Sequence, residues 1–108
     1  MDTERAIHLL EKWIQFYSMN DSKAWEPEDY HYVEQAHEAM QYAIQTLQGK
    51  SAGNTITKKE AIRRLKEWPT MHIMDDPDAW EAEDFPFVRN ALETVHYAAA
   101  FLKKTVSP

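Results

Sequence analysis

The chain has 108 residues, 44% of them hydrophobic and 12% aromatic, with two glycines, which is enough apolar side chain for one core and excludes a low-complexity chain. It contains no cysteine, so disulfides, thiolate metal sites and cysteine nucleophiles are excluded and a reducing cytoplasm is the expected compartment. A net charge of −6 disfavours contact with a phosphate backbone, which needs clustered Lys and Arg.

In chain order, Ile7, Leu10, Ile14 and Tyr17 recur at helical spacing behind Asp2 or Thr3 as a cap, which predicts a first helix running through Tyr17. Acids in the opening MDTERAIHLLEKW stand where a signal peptide would carry bases, and no apolar run reaches the length of a membrane span. The segment AWEPEDYHYV, Ala24 to Val33, follows. Asp21-Ser22 reads as an N-cap and first position of a one-turn helix carrying Ala24 and Trp25, and Pro27 then opens a new helix with Glu28 and Asp29 in its first turn, where the helix dipole favours negative charge. That second helix carries Val33, Ala36, Met40, Ala43, Ile44 and Leu47 on one stripe and ends at Gly49. Residues 50–56 read as a polar linker.

The remainder repeats the first half. At an offset of 55 and without gaps, residues 6–47 align with 61–102 and 17 of the 42 pairs are identical, among them Leu10/Leu65, Trp13/Trp68, Met19/Met74, Trp25/Trp80, Tyr42/Tyr97 and Leu47/Leu102. Thr57-Lys58-Lys59-Glu60 is a capping box ahead of Ile62 and Leu65. Pro69, matched to Ile14, is expected to stop or kink the third helix near Glu67. Asp76-Pro77 opens a second short turn carrying Ala79 and Trp80, AWEAEDFPFV spans Ala79 to Val88, and Val88, Ala91, Val95, Ala98, Ala99 and Leu102 form the last stripe. One two-helix hairpin buries too little to stand alone. The expected fold is therefore a single all-α domain of two tandem helix-loop-helix hairpins, residues 1–49 and 57–104, packed with pseudo-twofold symmetry as a four-helix arrangement about the long second and fourth helices.

Catalytic patterns fare poorly. Glu34-x-x-His37 and Glu93-x-x-His96 have the spacing of a di-iron carboxylate site, but each glutamate lies roughly 140° from its helix's apolar stripe, and the two motifs are out of register. His8, His31, His37, His72 and His96 are not matched between the copies, and Ser18, Ser22, Ser51 and Ser107 read as caps or loop residues. Gly49 and Gly53 cannot build a phosphate-cradling loop, and Asp75 to Asp78 lacks the glycine and the final glutamate of a calcium loop. No catalytic residue, metal or cofactor is expected.

What remains is surface. Asp75, Asp76, Asp78, Glu81, Glu83 and Asp84 put six acids and no base into ten residues, whereas Lys23 offsets Asp21, Glu26, Glu28 and Asp29 in the first copy. Helix-start stabilisation accounts for part of this charge; the functional reading is an acidic face aimed at a basic groove. Tyr42 and Tyr97, roughly 140° from their stripes, are candidates for contact outside the hairpins or for packing on a neighbouring helix. Trp13, Trp68, Trp25 and Trp80 read as core or hinge aromatics, and a tryptophan followed by acids in a loop, as at Trp25 and Trp80, also reads as an anchor of an interface.

Glu-Arg-Ala-Ile-x-x-Leu at Glu4 to Leu10 and Ala-x-Glu-Ala-x-x-x-Ala-Ile-x-x-Leu at Ala36 to Leu47, echoed at Glu60 to Leu65 and Ala91 to Leu102, resemble small helical-hairpin proteins that recur in bacteriophage and prophage genomes. The resemblance implies an accessory protein of the host-cell cytosol that binds and inhibits a host enzyme, regulator or defence factor; it carries over no site. The leading expectation is a non-enzymatic, protein-binding inhibitor, monomeric or weakly dimeric, that engages a host protein through Trp25, Glu26, Glu28, Asp29, Tyr42, Asp78, Trp80, Glu81, Glu83, Asp84 and Tyr97, without nucleic-acid or membrane contact. The alternatives are a protein that sequesters a nucleotide signal between aromatics such as Trp13, Trp68, Tyr30 and Phe85, for which four arginines (Arg5, Arg63, Arg64, Arg89) are a sparse supply, and an assembly protein.

Overall fold

The computed structural model describes residues 1–50, 56–71 and 73–104; the central part of the expected linker, Ser51, Gly53, His72 and Ser107 lie outside the described residues. Among the described residues there are four α-helices: α1 (Thr3–Phe16), α2 (Pro27–Leu47), α3 (Lys58–Met71) and α4 (Phe85–Lys104). The long helices α2 and α4 touch, and each of the shorter α1 and α3 packs against both of them. Among the described residues no helix is long and apolar enough to cross a membrane.

The core is the set of stripes legible in the sequence. Leu10, Trp13 and Ile14 of α1 and Leu65 and Trp68 of α3 meet Val33, Met40, Ala43, Ile44 and Leu47 of α2 and Val88, Val95, Ala98 and Leu102 of α4, all buried. Small residues set the closest approaches: Ala6, Ala39 and Ala61 are fully buried, and so is Thr94, whose hydroxyl is satisfied by donating to the carbonyl of Asn90 at 2.7 Å. Ile7, Ile62 and Tyr17 are half-buried at the edge of this core.

Caps fix where the helices begin and end. Asp2, rather than Thr3, caps α1 by accepting from the Arg5 amide at 2.8 Å, and Thr57 Oγ1 accepts from the Glu60 amide at 3.1 Å ahead of α3. Gly49 lies at φ 77 and ends α2, its N–H donating to Thr46 while Lys50 donates to Gln45, the paired bonds of a Schellman stop. α1 ends the same way without glycine. Ser18 lies at φ 49, its N–H donates to Gln15 and that of Met19 to Ile14 at 3.0 Å, so α1 stops at Phe16 with Tyr17 as its C-cap. After α3, Ile73 lies at φ 50 and Met74 donates to Pro69 at 3.0 Å. Met19 and Met74, the residues these turns point inward, are both fully buried.

Two sequence expectations are corrected. α3 does not stop near Glu67 but continues through Pro69 to Met71. Pro69 falls in the last turn, where a missing N–H removes one bond to Leu65, while the residue is buried and its carbonyl is held by Met74. The short 3₁₀ turns span Ser22–Ala24 and Pro77–Ala79 and end before the tryptophans, which sit in extended backbone at φ −128 and ψ 154 in both places. Asp21 and Asp76 cap these turns, accepting from the Lys23 and Asp78 amides at 2.9 Å each. Pro27 is the first residue of α2 and Pro86 the second of α4.

Candidate functional site

The helices run antiparallel in sequence, and this places the two elbows together. Phe87 near the start of α4 stacks on Trp13 of α1, ring centroids 5.5 Å apart and planes at 17°, and lies 4.8 Å from Phe16; the start of α2 likewise shares a groove with the end of α3. Residues 20–30 and 75–85 therefore cap one end of the bundle, with the end of α2 and the start of α3 at the other. The elbow end carries Asp21, Glu26, Glu28, Asp29, Asp75, Asp76, Asp78, Glu81, Glu83 and Asp84, all exposed, against the single base Lys23. Since the whole chain has 18 acids and 12 Lys and Arg, the rest of the molecule carries net positive charge. Asp84 reaches as far as Tyr17: burial first, and then the negative charge of Asp84, raise the Tyr17 phenol above its ordinary value.

The aromatics of the elbows turn inward. Trp25 is half-buried and donates its indole N–H to the carbonyls of Tyr17 at 3.1 Å and Ser18 at 3.2 Å; Trp80 donates to the carbonyl of Ile73 at 3.0 Å. Each indole thus closes the elbow onto the end of the preceding helix. Tyr42 and Tyr97 are half-buried and packed on the core, as are Tyr30 and Phe85. Of the eleven sequence-predicted partner residues, the seven acids stand together on the surface, while Trp25, Trp80, Tyr42 and Tyr97 serve mainly to hold the fold. Trp13 is buried, with no hydrogen-bond partner for its Nε1 among the described residues.

Other apolar side chains face water at this end. Phe16 is 63% exposed, Tyr32 50%, Met71 49% and Ile73 50%. None belongs to a helical stripe, so the periodicity that found the core passed over them.

Between α2 and α3 lies a cavity of about 260 Å³, walled by Tyr32, Ala36, Trp68 and Met71 and rimmed by Arg63, Arg64 and Glu67. Arg63 is clamped by both oxygens of Glu60 and by Glu67 at 2.7 Å. Arg64, its side chain 15% exposed, binds Glu60 at 3.0 Å and reaches across to the Gln35 carbonyl at 3.2 Å and Glu38 at 3.4 Å. These bonds from Arg63 and Arg64 hold the Glu60 carboxyl down at about 2. Both arginines are thus already neutralised, which disfavours an anionic ligand here. The Glu60, Arg63, Arg64 and Glu67 spacing is visible in the sequence as i,i+3 and i,i+4 pairs. The tie across to α2 is not.

Glu34 and Glu93 are exposed on the outer faces of α2 and α4, as their phase requires, and His96 is exposed as well. His37 is half-buried; burial pushes its imidazole below the ordinary value against the opposing charges of Glu38 and Glu34.

Comparison with protein-family models, with curated proteins and with solved structures finds no match to this chain.

Proposed function

We propose that this chain is a non-enzymatic accessory protein that binds a basic surface of a partner protein with the elbow end of its bundle, and that it works as a phage-type inhibitor of a host protein or defence factor in the cytosol. The observation that carries the reading is that ten exposed acids share one end of the molecule with the exposed side chains of Phe16, Tyr32, Met71 and Ile73. Interfaces combine an apolar, aromatic centre with a charged rim, and a one-signed rim steers association with an oppositely charged partner. Helix and turn starts account for Glu28, Asp29 and Asp78 and turn caps for Asp21 and Asp76, but Asp75 and Glu81 have no such local duty. The resemblance to phage helical-hairpin proteins supports the inhibitory role.

In this reading residues 1–49 and 57–104 are duplicated hairpins related by a pseudo-twofold axis, so one end presents two variants of a single elbow. The near-equal φ of Ser18 and Ile73, 49 and 50, and the identical backbone angles of Trp25 and Trp80 support it. The second elbow, with six acids and no base, is the more specialised one.

The test is affinity capture from a bacterial host lysate by the immobilised chain, beside a variant carrying Glu81→Lys, Glu83→Lys and Asp84→Lys. A specific partner is expected that the triple variant loses and that salt well above about 0.15 M releases, because exposed charges are screened over a Debye length of roughly 8 Å or less under those conditions. Absence of a specific partner, or capture indifferent to the charge reversal, would sink the proposal.

A further inference from the structure

The cavity between α2 and α3 is matched, at the 55-residue offset, by the seam between α1 and α4. In the α1/α4 seam Phe87 stacks on Trp13 at 5.5 Å and Phe16 lies over Phe87 at 4.8 Å, so the seam is filled by the chain's own rings. The corresponding residues in the other seam are Tyr32, Trp68 and Met71. Here the ring of Tyr32 stands edge-on to His31 at 5.4 Å and is half exposed, Met71 is half exposed, and a cavity of about 260 Å³ remains against Trp68. That volume lies below the roughly 300 Å³ at which sites for drug-sized ligands begin, and suits one aromatic ring.

The charge around the cavity narrows the occupant further. Arg63 and Arg64 are engaged by Glu60, Glu67 and Glu38 and offer an anion little. Glu28 and Asp29, exposed, lie one helical turn before His31 and Tyr32 on α2, so the mouth opens onto the acidic end. We propose that this groove receives an aromatic side chain carried beside a cation on the partner's surface, the ring taking against Trp68 the place that Phe87 takes against Trp13. The inference rests on the proposed binding of a basic partner at the elbow end and assigns to it a second contact, one that provides shape where the acids provide charge.

The experiment is an NMR titration of the full chain with three small phenols of different charge: tyramine, p-cresol and 4-hydroxyphenylacetate. Tyramine is expected to shift the Trp68 indole signal and saturate at about 1 mM, the affinity typical of a fragment this small, with p-cresol weaker and 4-hydroxyphenylacetate weakest. The double variant Tyr32→Phe with Met71→Phe installs the counterparts of Phe87 and Phe16 and is expected to weaken tyramine at least about tenfold, which is about 1.4 kcal/mol, without lowering Tm. The inference is overturned if tyramine leaves the Trp68 signal in place, if the double variant binds it as well as the parent does, or if 4-hydroxyphenylacetate binds tightest. The Glu81→Lys, Glu83→Lys, Asp84→Lys variant separates the two proposals: it should lose partner capture yet keep tyramine binding. Capture without tyramine binding defeats the groove alone; tyramine binding without capture defeats only the broader function.

Discussion

Trp80 donates its indole N–H to the carbonyl of Ile73 at 3.0 Å, and so fastens the second elbow to the turn that ends α3. Trp25 does the same for the first, dividing its N–H between Tyr17 and Ser18. Replacing either tryptophan with phenylalanine keeps a ring over the elbow but removes the indole N–H. Trp80→Phe and Trp25→Phe should each cost about 1 kcal/mol, the usual net worth of one hydrogen bond, plus whatever packing the smaller ring gives up. Thermal unfolding followed by circular dichroism measures this, and an unchanged Tm in both variants would show that the indoles do not latch the elbows.

The acceptor of that bond is itself unusual. Ile73 holds φ 50, a left-handed conformation that a β-branched residue adopts only under strain, and its half-exposed side chain gains little by burial. Ile73→Gly is expected to stabilise the protein by about 1 kcal/mol, the left-handed penalty less the entropy that glycine adds to the unfolded chain. Ser18→Gly, relieving a less bulky residue at φ 49, should gain less. Chemical denaturation resolves both, and destabilisation by Ile73→Gly would mean that the half-buried part of the isoleucine outweighs the backbone term.

Pro69 allows a parallel argument from the matched position. Ile14 occupies the same place in α1 and is buried there at the same depth in the helix, with an N–H that Pro69 lacks. Pro69→Ile restores a donor to the carbonyl of Leu65 and removes the restriction proline places on Trp68. A gain of about 1 kcal/mol is expected, below the roughly 3 kcal/mol of a mid-helix proline because the site is in the last turn. Equilibrium unfolding in urea checks it; a loss would indicate that the pyrrolidine ring packs better than isoleucine can.

The helices, their caps and most of the core were legible in the sequence because each rests on a local rule. Val33, Met40 and Leu47, or Val88, Val95 and Leu102, announce a buried face by spacing alone, and Asp21, Asp76 and Gly49 announce ends by residue type. The left-handed turns at Ser18 and Ile73 escaped because the residue types carry no such signal: what holds them is tertiary, the burial of Met19 and Met74 and the reach of two indoles from seven or eight residues away. The acids of the candidate site were legible as composition, but their gathering at one end depends on antiparallel packing. The inward turn of Trp25 and Trp80, and the exposure of Phe16, Tyr32 and Met71, are likewise set by which helix lies beside which. Arg64 is the clearest case, since its bond to the Gln35 carbonyl joins residues 29 apart.

The bonds of Arg63 and Arg64 to Glu60 give the acid limb of the stability curve a residue. Glu60, shared by Arg63 and Arg64, holds its carboxyl at about 2 against an ordinary 4.5, so between those values the folded chain binds fewer protons than the unfolded one. The contribution of the pair is therefore complete above pH 4.5 and is lost as the pH falls toward 2. Protonating the crowded elbow acids acts in the opposite sense by relieving repulsion, so the total curve mixes the two, and the difference between parent and Glu60→Gln isolates the first. The parent should exceed Glu60→Gln in urea midpoint at pH 6, and the gap should narrow progressively as the pH falls from 4.5 toward 2. About 0.5 M NaCl should narrow the gap at pH 6, since Glu60 and Arg63 are open to solvent, while leaving more of it than a wholly exposed pair would keep, because Arg64 is largely sheltered between α2 and α3. A gap that stays constant from pH 6 to pH 2.5 would show that Glu60 acts through helix propensity or capping rather than through its charge.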